Sequence, residues 1–413
     1  MQDRNENRTG YKKTKAGWIP DEWGCAPAGS LLDIQLGKML SQKSRSGDNP
    51  QPYLANYNVR WGEFDLSQVQ QMDFYEKEIY KYELQYGDLL VCEGGEVGRC
   101  AVWEDQIKPC YFQKALHRVR FSNGDLDAYY IMYFLHYATS SPRMAFFVGQ
   151  SSISHFTREQ FTKFPIALPP FPEQKKIAEI LCTWDSAIDQ IRKLVASKRK
   201  RKKALMQRFF ERTKNPGWKE MTLLQSFQRV QRVAPDDVEN ILSITAKLGF
   251  VHQNDKFSRI IAGSNLPKYI LLKKGEFAYN KGNSKIYPQG CIYLLEEYEQ
   301  GAVPNIYFCF RPKTDLIHAP FFKYYFENGT LNRQLCKLIN TGVRNDGLLN
   351  INPRDFFHLK ILVPPMEAQR RLAEMFSTAD QDIGASTTEL VALEKQKQGL
   401  MQKLLTGEMR VKT

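Results

Sequence analysis

The sequence predicts an α+β chain: two pseudo-repeated modules separated by two long helices that form an antiparallel coiled coil, a dumbbell in outline. Three observations predict it. Residues 161–207 recur at 356–402 without a gap, at a constant offset of 195 residues from Pro169 to Pro364. Both copies of that block carry an apolar seam of alternating 4- and 3-residue spacing. Between the copies, residues 24–160 and 219–355 hold short β-type runs and have diverged almost beyond recognition, although Trp23 and Trp218 keep the offset.

The first module is expected over residues 1–165. Gly87–Cys92 and Ala101–Trp103 read as strands, and Ala128–Tyr137 reads as a helix behind them. Between the strands, Glu93-Gly94-Gly95-Glu96-Val97-Gly98 resembles a cofactor loop, but phosphate-cradling loops open a helix, and here a strand follows. A hairpin turn or a close approach to DNA is the expectation. The surrounding loops are rich in groups that reach phosphates and base edges: Lys38, Gln42, Lys43, Arg45, Arg99, Gln150 and Ser151.

The first long helix occupies residues 166–212. Pro169-Pro170-Phe171-Pro172 sets an extended approach, and Glu173 places an acid in the first turn. Its seam runs Ile177, Leu181, Trp184, Ile188, Ile191, Val195, Lys198, Lys202, Leu205 and Phe209. At 1.5 Å per residue such a helix is about 55 Å long.

A second module follows over 213–360, with strands at Gly275–Tyr279 and Cys291–Leu295 and a helix from Pro320 to Phe326 that could continue to Ile339. Its candidate contact groups are Lys281, Asn283, Lys285, Arg344 and Asn345. The second long helix, within 361–413, repeats the seam as Leu372, Phe376, Ala379, Ile383, Ser386, Leu390, Leu393, Lys397, Leu400 and Leu404. Charge selects the direction of pairing. Antiparallel helices bring Lys198–Lys203 near Asp380 and Asp382, and Asp185 and Asp189 near Lys395 and Lys397; parallel ones stack Lys202 on Lys397. Antiparallel packing also puts Trp184 near Lys397, a cation–π contact.

Composition bounds the function. Lys and Arg number 58 against 45 Asp and Glu, a net charge of +13, which favours a polyanionic partner. No apolar run approaches the ~18 residues of a membrane span, and the first residues lack the apolar core of a signal peptide. The eight cysteines form no Cys-x-x-Cys pair, so reduced thiols in a cytoplasmic protein are expected. Leu168-Pro169-Pro170-Phe171 looks at first like the Asp/Asn-Pro-Pro-Tyr/Phe motif of amino methyltransferases. Leu168, like Val363 in the second copy, cannot accept the hydrogen bond that such a motif takes from the target amine. There is no Gly-x-x-x-x-Gly-Lys-Ser/Thr loop, no clustered histidines and no nuclease carboxylate–lysine group, so a binding protein is expected, with no catalytic, cofactor or metal residues.

The run Pro169-Pro170-Phe171-Pro172-Glu173-Gln174-Lys175-Lys176-Ile177-Ala178-Glu179-Ile180-Leu181, then Asp185 and Ile188, and the closing Leu404-Leu405-Thr406-Gly407-Glu408, resemble specificity subunits of type I restriction–modification systems. The likeness covers the helical frame closely and the modules by position. Ala368 departs from it where the first copy has Glu173. The resemblance implies that 1–165 and 213–360 are target-recognition domains and 166–212 and 361–413 conserved spacer helices. It implies a non-catalytic DNA-binding subunit that reads a bipartite double-stranded site, one half per domain. It also implies docking of methyltransferase subunits, two in the usual assembly, and of restriction subunits. S-adenosylmethionine, ATP and magnesium would then reside on those partners, which carry out the DNA methylation and cleavage. The exposed faces of 173–210 and 368–405 are the docking candidates.

Overall fold

The computed structural model describes residues 5–45, 47, 49–121, 124–139, 155–211, 217–245, 248–256, 268–282, 287–313, 315–339 and 349–412. It divides into two compact units, Met1–Ile191 with Glu389–Thr413, and Arg192–Thr388. The division passes through the two long helices, Phe171–Phe210 and Met366–Leu405, so each helix gives one half of its length to each unit.

Unit one is built on an antiparallel sheet of Asp33–Leu36, Leu116–Arg120, Leu89–Cys92 and Cys100–Val102, in that spatial order. Side chains alternate between the faces of a strand. Leu89, Val91 and Val119 accordingly pack towards the helix Ala128–Thr139 and towards Ile177, Leu181, Met401 and Leu404 of the long helices. On the other face Leu90, Cys92, Ala101 and Leu116 join Leu54, Val59, Trp103 and Phe112. Both faces are therefore covered. A strand pair, Gly24–Pro27 with Pro165–Leu168, carries the chain into the first long helix.

Unit two repeats this plan. Its sheet runs Phe227–Val230, Phe308–Pro312, Phe277–Asn280 and Cys291–Leu294. Phe277, Tyr279, Phe308 and Phe310 pack towards the helix Ala319–Glu327, while Ala278 and Cys309 face Leu242, Ile244, Leu272 and Val303. The aromatic face is dense, with Phe227 and Phe310 edge to face at 5.2 Å. Lys219–Thr222 pairs with Lys360–Val363 just ahead of the second long helix. The expected continuation of the helix to Ile339 is interrupted: Gly329 takes φ 71°, and a separate helix runs Asn332–Leu338. Strand order and connection are the same in the two units, although little of the intervening sequence matches.

Within each unit the long helices run in opposite senses. In unit two Lys198 reaches Asp382 at 2.6 Å, Lys202 reaches Asp380 at 2.8 Å, and Phe209 meets Phe376 at 6.4 Å, so the partner's number falls as helix-one numbers rise. In unit one Lys397 pairs with Asp185. Of the seam residues, Ile177, Leu181, Ile188, Val195, Phe376 and Leu404 are buried. Trp184, Ile191, Leu205, Phe209, Leu372, Ile383, Leu390, Leu393 and Leu400 are partly covered. Beside the seam, Ala178, Met206 and Phe210 and their repeats Ala373, Met401 and Leu405 are also buried. At these positions a helix packs on a module as well as on the other helix, and the apolar face widens.

Candidate nucleic-acid interface

Among the described residues, the segments that flank the nominated loops are hydrogen-bonded to one another at one end of each four-stranded sheet. In unit one the turn 93–99 joins Leu89–Cys92 to Cys100–Val102 as a hairpin, with Gly95 and Gly98 both at φ 77°, a backbone conformation that glycine adopts without a Cβ clash. The Glu93 amide donates to the Ala115 carbonyl at 2.9 Å, and the Phe156 amide donates back to the Glu93 carbonyl at 2.6 Å. The Lys38 amide donates to the Phe112 carbonyl at 3.1 Å. The segment after Leu36, the hairpin turn and the connection that ends at Phe156 are thus hydrogen-bonded neighbours. Unit two has the same arrangement: the Leu349 amide donates to the Lys281 carbonyl at 2.9 Å, tying the return connection to the turn after Phe277–Asn280. Arg99 and Lys281 therefore stand on equivalent hairpins. Gln150 and Ser151, like Arg344 and Asn345, belong to equivalent connections but lie outside the described residues, as do Asn283 and Lys285.

Individual side chains depart from the expectation. Lys38 is buried, donating to the Asp73 carbonyl at 2.6 Å and to Glu78, with its ammonium 5.0 Å from the Phe74 and Tyr75 rings. A cation removed from water must be paired, and this one is, inside its own module. Arg99 is also committed inward: it donates to the Asn56 carbonyl at 3.0 Å, to Asn56 Oδ1 at 2.7 Å and to Glu96 at 3.2 Å. Both are corrections to the picture of outward-reaching cations, for the same reason. Gln42 is exposed on the short helix Gln42–Arg45, whereas the side chains of Lys43 and Arg45 lie outside the described set. Lys281 is half-buried, 5.5 Å from the Phe308 ring. Asn56 and Trp61, which sequence reasoning passed over, brace the hairpin with Glu96: Trp61 Nε1 donates to Glu96 at 2.6 Å and Asn56 Nδ2 to the Gly94 carbonyl at 2.6 Å.

Below each interface one polar arrangement is repeated. Gln174 is buried; its Nε2 donates to the Pro169 carbonyl at 2.9 Å and its Oε1 accepts from the Asp127 amide at 3.1 Å. Gln369, equally buried, donates to Pro364 at 2.8 Å and accepts from the His318 amide at 2.8 Å. Each glutamine joins a long-helix start to the start of its module's helix. About three turns further along the long helix, Tyr133 donates to Asp185 at 2.6 Å, and Lys397 pairs with Asp185 while lying 5.2 Å from the Tyr133 ring. In unit two Tyr324 donates to Asp380 at 2.9 Å, and Lys202 sits 4.9 Å from its ring. Burial, and then Asp185, push the Tyr133 phenol well up; burial and Asp380 do the same for Tyr324, so both stay protonated donors. Lys397 thus lies over Tyr133, where the sequence had suggested Trp184. The two tyrosines escaped the repeat pattern because they are 191 residues apart, not 195.

The unit-one frame has one further brace. Trp23 Nε1 donates to Glu173 at 3.1 Å, and Arg410 grips the same carboxylate at 2.7 and 2.9 Å. Ala368 leaves the second copy without that anchor. No disulfide joins the eight cysteines. Burial pushes the Cys92 thiol up to about 11 and Cys110 to about 12, which keeps both in the unreactive thiol form. Among the described residues no helix is long and apolar enough to cross a membrane.

Comparison with known proteins points one way. Residues 20–196 match the family described as type I restriction modification DNA specificity domain. A Methanocaldococcus jannaschii protein provisionally named as the type I restriction enzyme MjaX specificity subunit is 26% identical over 439 residues, covering 98% of this chain and 97% of its own. The MjaVIII specificity subunit of the same organism is 25% identical, covering 97% and 96%. The solved structure of the type I restriction–modification S subunit from M. genitalium shares the fold with a TM-score of 0.56 at 15% identity, over 92% of this chain and 96% of that one. Residues 20–196 thus match the type I specificity-domain family, and along nearly its whole length the chain is similar to specificity subunits of type I restriction–modification systems.

Proposed function

We propose that this chain directs a type I methylation and restriction assembly to a bipartite DNA sequence, each module reading one half-site. The observation that carries this reading is the pairing of an invariant plan with diverged loops. Strand order and the buried Gln and Tyr–Asp–Lys contacts repeat, while the segments gathered at the sheet ends differ in sequence. A duplicated scaffold with unlike tips suits a reader of two unlike half-sites. Base edges are read by hydrogen bonds and positioned by phosphate contacts, roles assigned here to the hairpin and return segments of each unit. The paired long helices act as an antiparallel coiled-coil spacer that holds the modules apart, and they leave a run of unspecified base pairs between the halves. The chain contributes recognition and no catalysis. Methyltransferase subunits dock on the exposed faces of 173–210 and 368–405, one on each repeated surface, and restriction subunits join them. S-adenosylmethionine, ATP and magnesium belong to those partners, and the assembly works on cytoplasmic DNA.

Single-molecule methylation sequencing of host DNA tests this, with the chain deleted and then restored beside its neighbouring methyltransferase. One bipartite methylated motif should vanish and return. An unchanged methylome with an active methyltransferase would overturn the reading.

A further inference from the structure

The repeat supplies an internal control for the charges of the frame. Two charges that hold the fold occur in both copies: Asp185 and Asp380, Lys202 and Lys397. The run Lys198-Arg199-Lys200-Arg201-Lys202-Lys203 divides by what its side chains meet. Lys198 turns to Asp382 and Ser386, and Lys202 to Asp380 and Glu327 with only 10% of its side chain exposed. Arg199, Lys200, Arg201 and Lys203 are all exposed on the outward side of the helix. Their repeats are Glu394, Lys395, Gln396 and Gln398, so four outward positive charges in the first copy correspond to no net charge in the second.

Folding does not require Arg199, Arg201 and Lys203, because the second helix forms over the same length with Glu394, Gln396 and Gln398 in their places. Docking of like subunits on repeated surfaces does not require these three either, because the second surface keeps only Lys395, beside the opposite charge of Glu394. Four like charges within five residues of one helix repel each other, a cost that an anionic partner offsets. We infer that Arg199, Lys200, Arg201 and Lys203 form a phosphate-binding strip for the backbone of double-stranded DNA, independent of base sequence. The inference rests on the DNA-recognition reading above and adds to it: the helix serves as a spacer and also grips the duplex, from one copy only. The shared chemistry is that of a polyanion. DNA is the occupant favoured here because the strip belongs to the unit whose sheet end carries the second set of recognition loops.

The test uses the full chain and a 40-base-pair duplex of random sequence, with affinity measured by fluorescence anisotropy across a salt titration. Each phosphate contact contributes about 0.9 to the slope of log affinity against log salt. The variant R199Q/K200Q/R201Q/K203Q is expected to lower that slope by about 2 to 4, while helicity and thermal midpoint stay at wild-type values. A control variant, K13Q/K15Q/K77Q/K412Q, removes the same charge from exposed positions elsewhere and should leave most of the slope intact. An unchanged slope in the strip variant would overturn the strip, and so would an equal loss in the control, which would reduce the effect to net charge. Failure of the wild-type chain to bind the duplex at all would instead count against the DNA-recognition reading.

Discussion

At the scale of single residues, the interfaces rest on side chains whose partners are internal. The Tyr133–Asp185–Lys397 group is a coupled one: the phenol and the ammonium share a carboxylate, and the ammonium lies over the phenol's ring. Tyr133→Phe and Lys397→Met should each cost about 1 kcal/mol of stability, and the double variant should cost measurably less than the sum in chemical denaturation. The same cycle at Tyr324 and Lys202 should behave alike. His136 gives a pH effect of definite sign. It stacks on Trp61 at 4.1 Å, and burial first, then Lys397, pulls its pKa down to about 4. The unfolded chain binds that proton near the ordinary histidine value of about 6.5. Its contribution is therefore fully present above pH 6.5 and is lost as pH falls from there to 4. The thermal midpoint should fall over that window, and His136→Phe, which keeps the stack, should flatten the fall. A midpoint that drops equally in both proteins would show that other groups control it. Residue identity alone misled at Lys38 and Arg99. A loop cation reads the same whether it faces a phosphate or its own module's carboxylate, and only the fold places Glu78 and Asn56 within reach.

At the scale of elements, the long helices and their direction were legible because two copies of one seam reinforce each other and because charge order distinguishes the two pairings. The sheets were legible only as scattered strands. Their common order of edge and central strands depends on pairings between residues far apart, such as Leu116 with Cys92 and Phe277 with Phe310, and divergence had erased the sequence likeness. The widened apolar face at Met206, Phe210, Met401 and Leu405 was missed because a heptad reading assumes a single neighbour. Gln174 and Gln369 show how an element junction is fixed. Each satisfies backbone groups of two segments at once, so replacement by leucine orphans a buried amide and carbonyls. Gln174→Leu and Gln369→Leu should each destabilise by about 2–4 kcal/mol, read as a shift in urea midpoint at unchanged slope. A shift below about 0.5 kcal/mol would mean water replaces the amide.

At the scale of the whole molecule, the proposed spacer role makes a geometric prediction. Inserting one heptad at matched positions in both long helices adds about 10 Å at 1.5 Å per residue, or about three base pairs at 3.4 Å each. Methylome sequencing of that variant should show both half-sites unchanged and the gap between them lengthened; altered half-sites would sink the spacer reading. The partition of the helices has a further consequence, concerning synthesis. Unit two is continuous in sequence over 192–388, whereas unit one needs residues 389–412 to cover Ile177 and Leu181 and to bring Arg410 to Glu173 and Gly407 to Tyr11. On the ribosome the module translated first therefore receives its last residues after the whole of the second module has been made. Until then its helix-facing surface lacks its cover, so a premature stop near residue 390 should damage the module translated first.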